Sequence, residues 1–259
     1  MEKVNKKERI KSIDKALDIL EALSINEHEM GILEIDRQLN LGISTIHRIL
    51  TTLKTRGYIA QNKKTKNYRL GIKLFILGSE VQNMKHLVRI TKPYLRKLSK
   101  ITNETANLAI LEGNEVIYLD TIESSEVLKT EIMPGTRTLA HCTALGKTLL
   151  AYLPKSEINH LFKSTEKLVS LTPQSISSLN ELKFVLEEVE KKGYAIDNEE
   201  YKDGINCIGV PILIKDRKPI AAISITGPAS RFTMDEMEKV KEELISISKE
   251  ISNSFFIIQ

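Results

Sequence analysis

Apolar positions recur every three or four residues through about the first hundred residues, broken by a short hairpin near 58–70, and strand-like apolar runs mix with helical ones beyond. Ile13, Ala16, Leu17, Leu20 and Leu23 share one face of a helix that Ser12 can N-cap and that runs to about Ser24. Asn26-Glu27-His28-Glu29 breaks it, and Ile32, Ile35 and Leu39 mark a second, short helix. Asn40-Leu41-Gly42 reads as a turn, with Gly42 free to take a positive φ. Ser44 and Thr45 offer caps for a third helix whose apolar face is Ile46, Ile49, Leu50 and Leu53, and Gly57 follows as its C′ residue. Short strands around 58–61 and 67–70 flank a polar turn at 62–66.

A further helical pattern starts at Ile72 and runs to about Met84, with Leu74, Phe75, Leu77 and Val81 apolar enough to pack on a partner subunit or the following domain. Another helix is expected from His86 to about Thr102, with Pro93 inside it as a possible kink. The boundary falls near residues 78–86, which gives three segments: 1–72, a connecting helix at 73–85, and 86–259. Beyond it the pattern is mixed. Strands are expected at 105–111 and 116–122 around a Glu112-Gly113-Asn114-Glu115 turn, and at 127–133, where residues alternate. A helix follows from Thr143 to Tyr152, then an amphipathic helix at 178–192 with Gly193 as its C′ residue. Strands at 194–197, 205–215 and 220–226 follow, the last pair turning through Asp216-Arg217-Lys218-Pro219. Thr233-Met234-Asp235-Glu236 reads as a capping box opening a C-terminal helix. This order implies an α+β domain with helices packed on a sheet.

Charge sharpens the picture of the first segment. Nine Lys/Arg and no Asp/Glu lie between Arg37 and Ser79, although the whole chain carries only +4. A solvated surface normally mixes signs, so a long window without carboxylates points to a polyanion, and Lys and Arg on phosphates supply most non-specific nucleic-acid affinity. With the order helix, helix, tight turn, helix, basic hairpin, it indicates a winged helix-turn-helix on double-stranded DNA. Ser44, Thr45, His47, Arg48, Thr51 and Lys54 lie off the apolar stripe of the third helix and can face base edges in the major groove. Lys63, Lys64, Lys66 and Arg69 would hold phosphates or a minor groove from the hairpin. No apolar run reaches the roughly 18 residues of a membrane span, and no apolar stretch follows the basic start as in a secretory signal. Two cysteines, Cys142 and Cys207, are too few for a disulfide framework, so a cytoplasmic setting is expected.

Several stretches together resemble the IclR family of bacterial transcription regulators: KALDILEALS, GISTIHRILTTLKTRGYI and NYRLGIKLFILG, then AHCTALGKTLLAYLP, KKGYAIDNEE, GINCIGVPI and AAISITGPASRFT. The resemblance covers nearly the whole chain. It implies a winged helix-turn-helix, a connecting helix and a GAF-like effector-binding domain, assembled as a homodimer or a dimer of dimers on operator DNA. It also implies that Thr138, Ala144, Leu145, Asp197, Ile205, Cys207, Ser224 and Thr226 contact the effector. Some relatives carry small residues where Leu145 stands, so this bulkier side chain could narrow the pocket.

The residues themselves leave two readings of the helix start after Thr143. Its N–H groups at Ala144, Leu145 and Gly146 can bind an anion such as a small carboxylate, or the Thr143 hydroxyl can cap them. Ser224 and Thr226 share one strand face, as do Ile205 and Cys207, which would give an apolar wall with a few polar anchors. Asp197 suits a ligand hydroxyl better than an anion, which favours a keto or sugar acid such as 2-keto-3-deoxygluconate. The chain therefore reads as a sequence-specific DNA-binding regulator, a repressor controlled by a small organic acid, with no cofactor. The rival reading is an enzyme acting on a small acid with a DNA-tethering head, but the pocket offers no acid–base pair beyond Asp197. An architectural DNA binder with an inactive sensor domain is a third. His141, Cys142 and Cys207 lack the spacing of a zinc site, and His141-Cys142 lacks the third group of a catalytic triad.

Overall fold

The computed structural model describes residues 10–26, 28–78, 82–162, 167–214 and 217–256, with the side chains of 82, 83, 255 and 256 excepted. The chain forms two compact units that meet between Lys85 and His86.

In the first unit, α1 (Lys11–Ile25), α2 (Ile32–Leu39) and α3 (Ile43–Thr55) precede a two-stranded antiparallel wing of β1 (Ile59–Gln61) and β2 (Tyr68–Leu70). Ile19, Leu23, Ile35, Ile46, Leu50, Ile59 and Tyr68 close one core, with Ile49 and Leu53 at its edge. The expected caps differ. Ile10 precedes α1 and Gly42 precedes α3, neither with a side-chain cap, so Ser12, Ser44 and Thr45 sit inside their helices. Gly42 has φ 82°, and the Asp36 carboxylate accepts from its N–H at 2.8 Å, which fixes the tight turn between α2 and α3. Met30 also pairs with Tyr68, adding a rung to the wing. α4 (Ile72–Gly78) follows, and residues 79–81 of the expected connecting helix lie outside the described residues.

α5 (Gln82–Thr102) is one helix across Met84–His86, where a break was expected; Met-Lys-His offers neither a helix breaker nor a cap. Pro93 lies within it. In the second unit, β3 (Thr105–Glu112), β4 (Glu115–Ile122), β5 (Arg137–Leu139), β6 (Ala195–Asn198), β7 (Ile205–Leu213) and β8 (Pro219–Pro228) form one antiparallel sheet in the order β5-β4-β3-β8-β7-β6. Alternation assigns the two faces. Leu108, Ile208, Val210, Ile212, Ile223 and Ile225 pack with α5 and α9 (Met234–Phe256). The other face, with Ala109, Cys207 and Ala222, meets α6 (Ala144–Leu150), α7 (Lys155–Leu161) and α8 (Leu179–Lys192).

Three expectations need correction here. Residues 127–133 are not a strand: Val127, Leu128 and Met133 are exposed, and the edge of β4 is taken by β5 instead. A strand exists only where a partner supplies its hydrogen bonds, and β5 holds that place. The helix after Thr143 is shorter than expected, ending at Leu150, and α7 follows where none was expected. The capping box at Thr233 is half formed: its hydroxyl accepts from the Glu236 N–H at 3.4 Å, while the Glu236 carboxylate pairs with Lys239. In the turn before β8, Asp216 lies outside the described residues.

Candidate functional site

The DNA-facing side of the first unit follows from the burial of α3. Its stripe of Ile46 and Leu50 is closed to solvent, which turns Ser44, His47, Arg48, Thr51 and Lys54 outward, with Thr45 half-buried. Thr51 Oγ1 donates to the His47 carbonyl at 2.8 Å, so its hydroxyl proton is already taken up within the helix. On the wing, Lys63, Lys64 and Lys66 are exposed around a turn that Asn62 organises by accepting from the Lys64 and Thr65 N–H groups. Arg69 is different. Its guanidinium pairs with Glu29 at 2.6 Å, and the same carboxylate accepts from Asn62 at 2.7 Å. Those partners hold Glu29 below the usual carboxylate range, Arg69 first among them. A carboxylate outside the acid-free window therefore reaches the wing and occupies Arg69 of β2, one of the four hairpin cations expected on phosphate.

The pocket candidates lie on the α6 side of the sheet. β7 places Cys207 beside Asp197 of β6 and Thr226 of β8, and Gly209 beside Ser224. α6 starts directly over this spot: a Cβ on Gly209 would stand 3.1 Å from the Ala144 carbonyl carbon and 3.2 Å from the Leu145 nitrogen. A Cβ on Gly146 would collide with Ala140, so glycine at both positions lets helix, preceding turn and sheet close up. The Thr143 hydroxyl accepts from the Gly146 N–H at 3.0 Å. Self-capping thus takes one of the N–H groups weighed for an anion, leaving those of Ala144 and Leu145, which have no acceptor within the helix. The Leu145 side chain is buried in the apolar core that also holds Leu149 and Ala222.

Polar atoms around that face form a network. Asn107 Nδ2 donates to Ser224 Oγ at 3.3 Å and Thr226 Oγ1 at 3.1 Å, Thr226 Oγ1 donates to Cys207 Sγ at 3.1 Å, and Thr121 Oγ1 donates to Asn107 Oδ1. Asp197 is buried, and its Oδ1 accepts from the N–H groups of Glu200 at 2.8 Å and Tyr201 at 3.3 Å. Burial lifts its carboxyl to about 7, partly countered by Lys147. Lys147 is itself buried on α6, where it donates to the Ile196 carbonyl at 2.5 Å and pairs with Glu200. Tyr118 of β4 is buried, and burial pushes its phenol up, with the charges of Cys207, Tyr201 and Asp197 acting in the same direction and Thr138 opposing. The buried Thr138 Oγ1 and Glu200 Oε2 have no hydrogen-bond partner among the described residues. Seven of the eight expected contacts thus cluster. Ile205 stands at the strand end, half-buried and paired with Pro228.

Lys147, Glu200, Tyr118 and Asn107 were not singled out by sequence. One signal existed: Lys147 interrupts the apolar run Ala-Leu-Gly-Lys-Thr-Leu-Leu. His141 donates from Nε2 to the Val169 carbonyl at 2.9 Å, and Cys142 Sγ contacts the same carbonyl. Burial pushes the Cys142 thiol to about 11 and the Cys207 thiol to about 12, so both are neutral near pH 7. Among the described residues no three His, Cys, Asp or Glu side chains gather as a metal site, and no helix is long and apolar enough to cross a membrane.

Two family models match the chain: the IclR helix-turn-helix domain over residues 12–63 and the bacterial transcriptional regulator IclR C-terminal domain over residues 79–253. The HTH-type transcriptional regulator KdgR of Escherichia coli (strain K12) is 34% identical over 243 residues, covering 94% of this chain and 92% of that protein. The crystal structure of the Thermotoga maritima IclR matches with a TM-score of 0.76 and 32% identity, covering 95% of this chain and 99% of that one. The fold is shared, at 20% identity and a TM-score of 0.83, by an IclR homolog complexed with 4-hydroxybenzoate from Microbacterium hydrocarbonoxydans, over 94% of this chain and 99% of that one. These domains and relatives regulate transcription, which sets the enzyme reading aside. A helix-turn-helix head followed by an α+β sensor domain, matched along nearly its whole length, makes this chain a member of the IclR family of bacterial transcriptional regulators.

Proposed function

We propose that the chain is an operator-binding repressor, acting as a homodimer or dimer of dimers, whose affinity for double-stranded DNA is set by a small keto or sugar acid in the second unit. The observation that carries the DNA half is the exposed face of α3, with Ser44, His47, Arg48, Thr51 and Lys54 turned outward and no acidic residue on that helix. Thr45 joins them at the helix start, and Lys63, Lys64 and Lys66 of the wing take phosphates. Arg69 shares in that role only to the extent that Glu29 releases it.

The buried cluster of Thr138, Asp197, Cys207, Ser224 and Thr226, with the Ala144 and Leu145 N–H groups above it and Ile205 farther along β7, supports a small polar ligand. Hydroxyls and a carboxyl spaced along one face suit a ligand with several oxygens, such as 2-keto-3-deoxygluconate. The neighbour complexed with 4-hydroxybenzoate is support from fold alone that such a domain can hold an organic acid. Ligand in one unit and DNA on the other would be coupled reciprocally.

The test is operator binding by fluorescence anisotropy across salt, with and without 2-keto-3-deoxygluconate. Arg48→Ala is expected to lose discrimination between operator and random DNA by about 1–3 kcal/mol, roughly five- to a hundredfold. Lys64→Ala should weaken both alike and lower the salt slope by about one. Equal behaviour of the two variants would refute the groove assignment, and an operator affinity blind to every small acid would refute the sensor.

A further inference from the structure

Lys147 is the one buried lysine or arginine among the described residues, and its ammonium is already committed. It donates to the Ile196 carbonyl and pairs with Glu200, so the one buried cation among the described residues near the pocket is neutralised before any ligand arrives. Asp197 sits next to that pair with no cation of its own. Its Oδ1 is held by the Glu200 and Tyr201 N–H groups, while among the described residues Oδ2 receives no hydrogen bond. The groups around it from each packed element are Lys147 on α6, Glu200 and Tyr201 after β6, Cys207 on β7, Tyr118 on β4, and Cys142 before α6. Both thiols and the phenol are held neutral by burial. One cation therefore faces two carboxylates, and an organic acid anion would add a third negative charge to a largely buried site.

We infer that the pocket takes its organic acid together with one proton, carried on Asp197 Oδ2, which then donates to an oxygen of the ligand. This rests on the acid-pocket reading above and specifies its charge state. Bringing an anion beside an ionised Asp197 in a buried setting costs far more than protonating that carboxyl. The protonated form is within reach, because burial already lifts Asp197 to about 7. Below that pH the site is loaded in advance; above it, each binding event must draw a proton from solvent. Asp197 is then a hydrogen-bond donor that favours keto, hydroxyl or carboxylate oxygens over cationic or amide N–H groups.

The full-length protein is titrated calorimetrically with 2-keto-3-deoxygluconate and with pyruvate at pH 6, 7, 8 and 9, each in two buffers of different protonation enthalpy. The expected result is close to one proton taken up per acid at pH 8 and little at pH 6. Affinity should fall about tenfold from pH 8 to pH 9. Asp197→Asn keeps an acceptor for the two N–H groups and offers a permanent donor, so its affinity should be flat with pH and its proton uptake lost. A pH-independent wild type with no proton uptake overturns the inference while leaving the acid pocket standing. Proton uptake that persists in Asp197→Asn overturns it too, since the proton would sit elsewhere. The wild-type buffer comparison decides the matter even if that variant fails to fold. Failure of both acids to bind at pH 6 overturns the acid pocket and this inference together.

Discussion

Lys147 shows how a residue's role depends on what its neighbours leave available. A lysine is almost never enclosed unless paired, and this one is enclosed with Glu200 and a backbone carbonyl. Lys147→Met should cost about 3–5 kcal/mol in urea denaturation, because Glu200 would be left buried and unpaired, and Lys147→Met with Glu200→Gln should recover much of it. Asp197 gives the second prediction. Its folded carboxyl lies above the ordinary value, raised by burial, so its contribution to stability is full below about pH 4 and is lost as pH rises through 7. Between pH 5 and pH 8 the wild type should lose roughly 3 kcal/mol that Asp197→Asn retains. Parallel stability curves for the two proteins would contradict it. Sequence made Asp197, Cys207, Ser224 and Thr226 legible through strand alternation and family resemblance. It hid Lys147, since helical periodicity assigns a lysine to the wet face, and it hid Tyr118 and Asn107, which alternation alone marks only as facing one side.

At the scale of elements, the winged head was legible almost throughout, because three amphipathic helices and a polar hairpin leave little choice of period. What sequence missed was contact across distance. Glu29 is 40 residues from Arg69 along the chain yet braces the wing through it and through Asn62 and Thr65. Glu29→Gln should free Arg69 for phosphate and steepen the salt dependence of DNA binding by roughly one unit of log–log slope. Anisotropy titrations between low and moderate salt measure this, and an unchanged slope would mean that Arg69 faces away from DNA. The expected strand at 127–133 failed for a related reason. Alternation signals a fit to a sheet, but a strand also needs an unclaimed edge, and β5 occupies the edge of β4.

For the whole molecule, the exposed apolar residues carry the next prediction. Ile72 and Phe75 on α4 are 71% and 73% exposed, beside Ile76 and Leu77, more than a lone soluble head leaves open without purpose. Phe75→Asp should shift the protein toward monomer in sedimentation velocity and weaken operator binding at least tenfold, since two heads on one operator bind far better than one. An unchanged sedimentation profile would place self-association elsewhere.

The sheet order has a mechanical consequence. β5 and β6 are the two rims of a six-stranded ribbon, yet Thr138 on one and the charge of Asp197 on the other both act on the Tyr118 phenol. A ligand touching both would work as a tie rod, resisting the ribbon's uncurling rather than merely filling space. Amide exchange should then slow together at Arg137–Leu139 and Ala195–Asn198 when the acid is bound, while the already taut middle strands change little. Slowing at one rim alone would show that the ligand leans on a single edge.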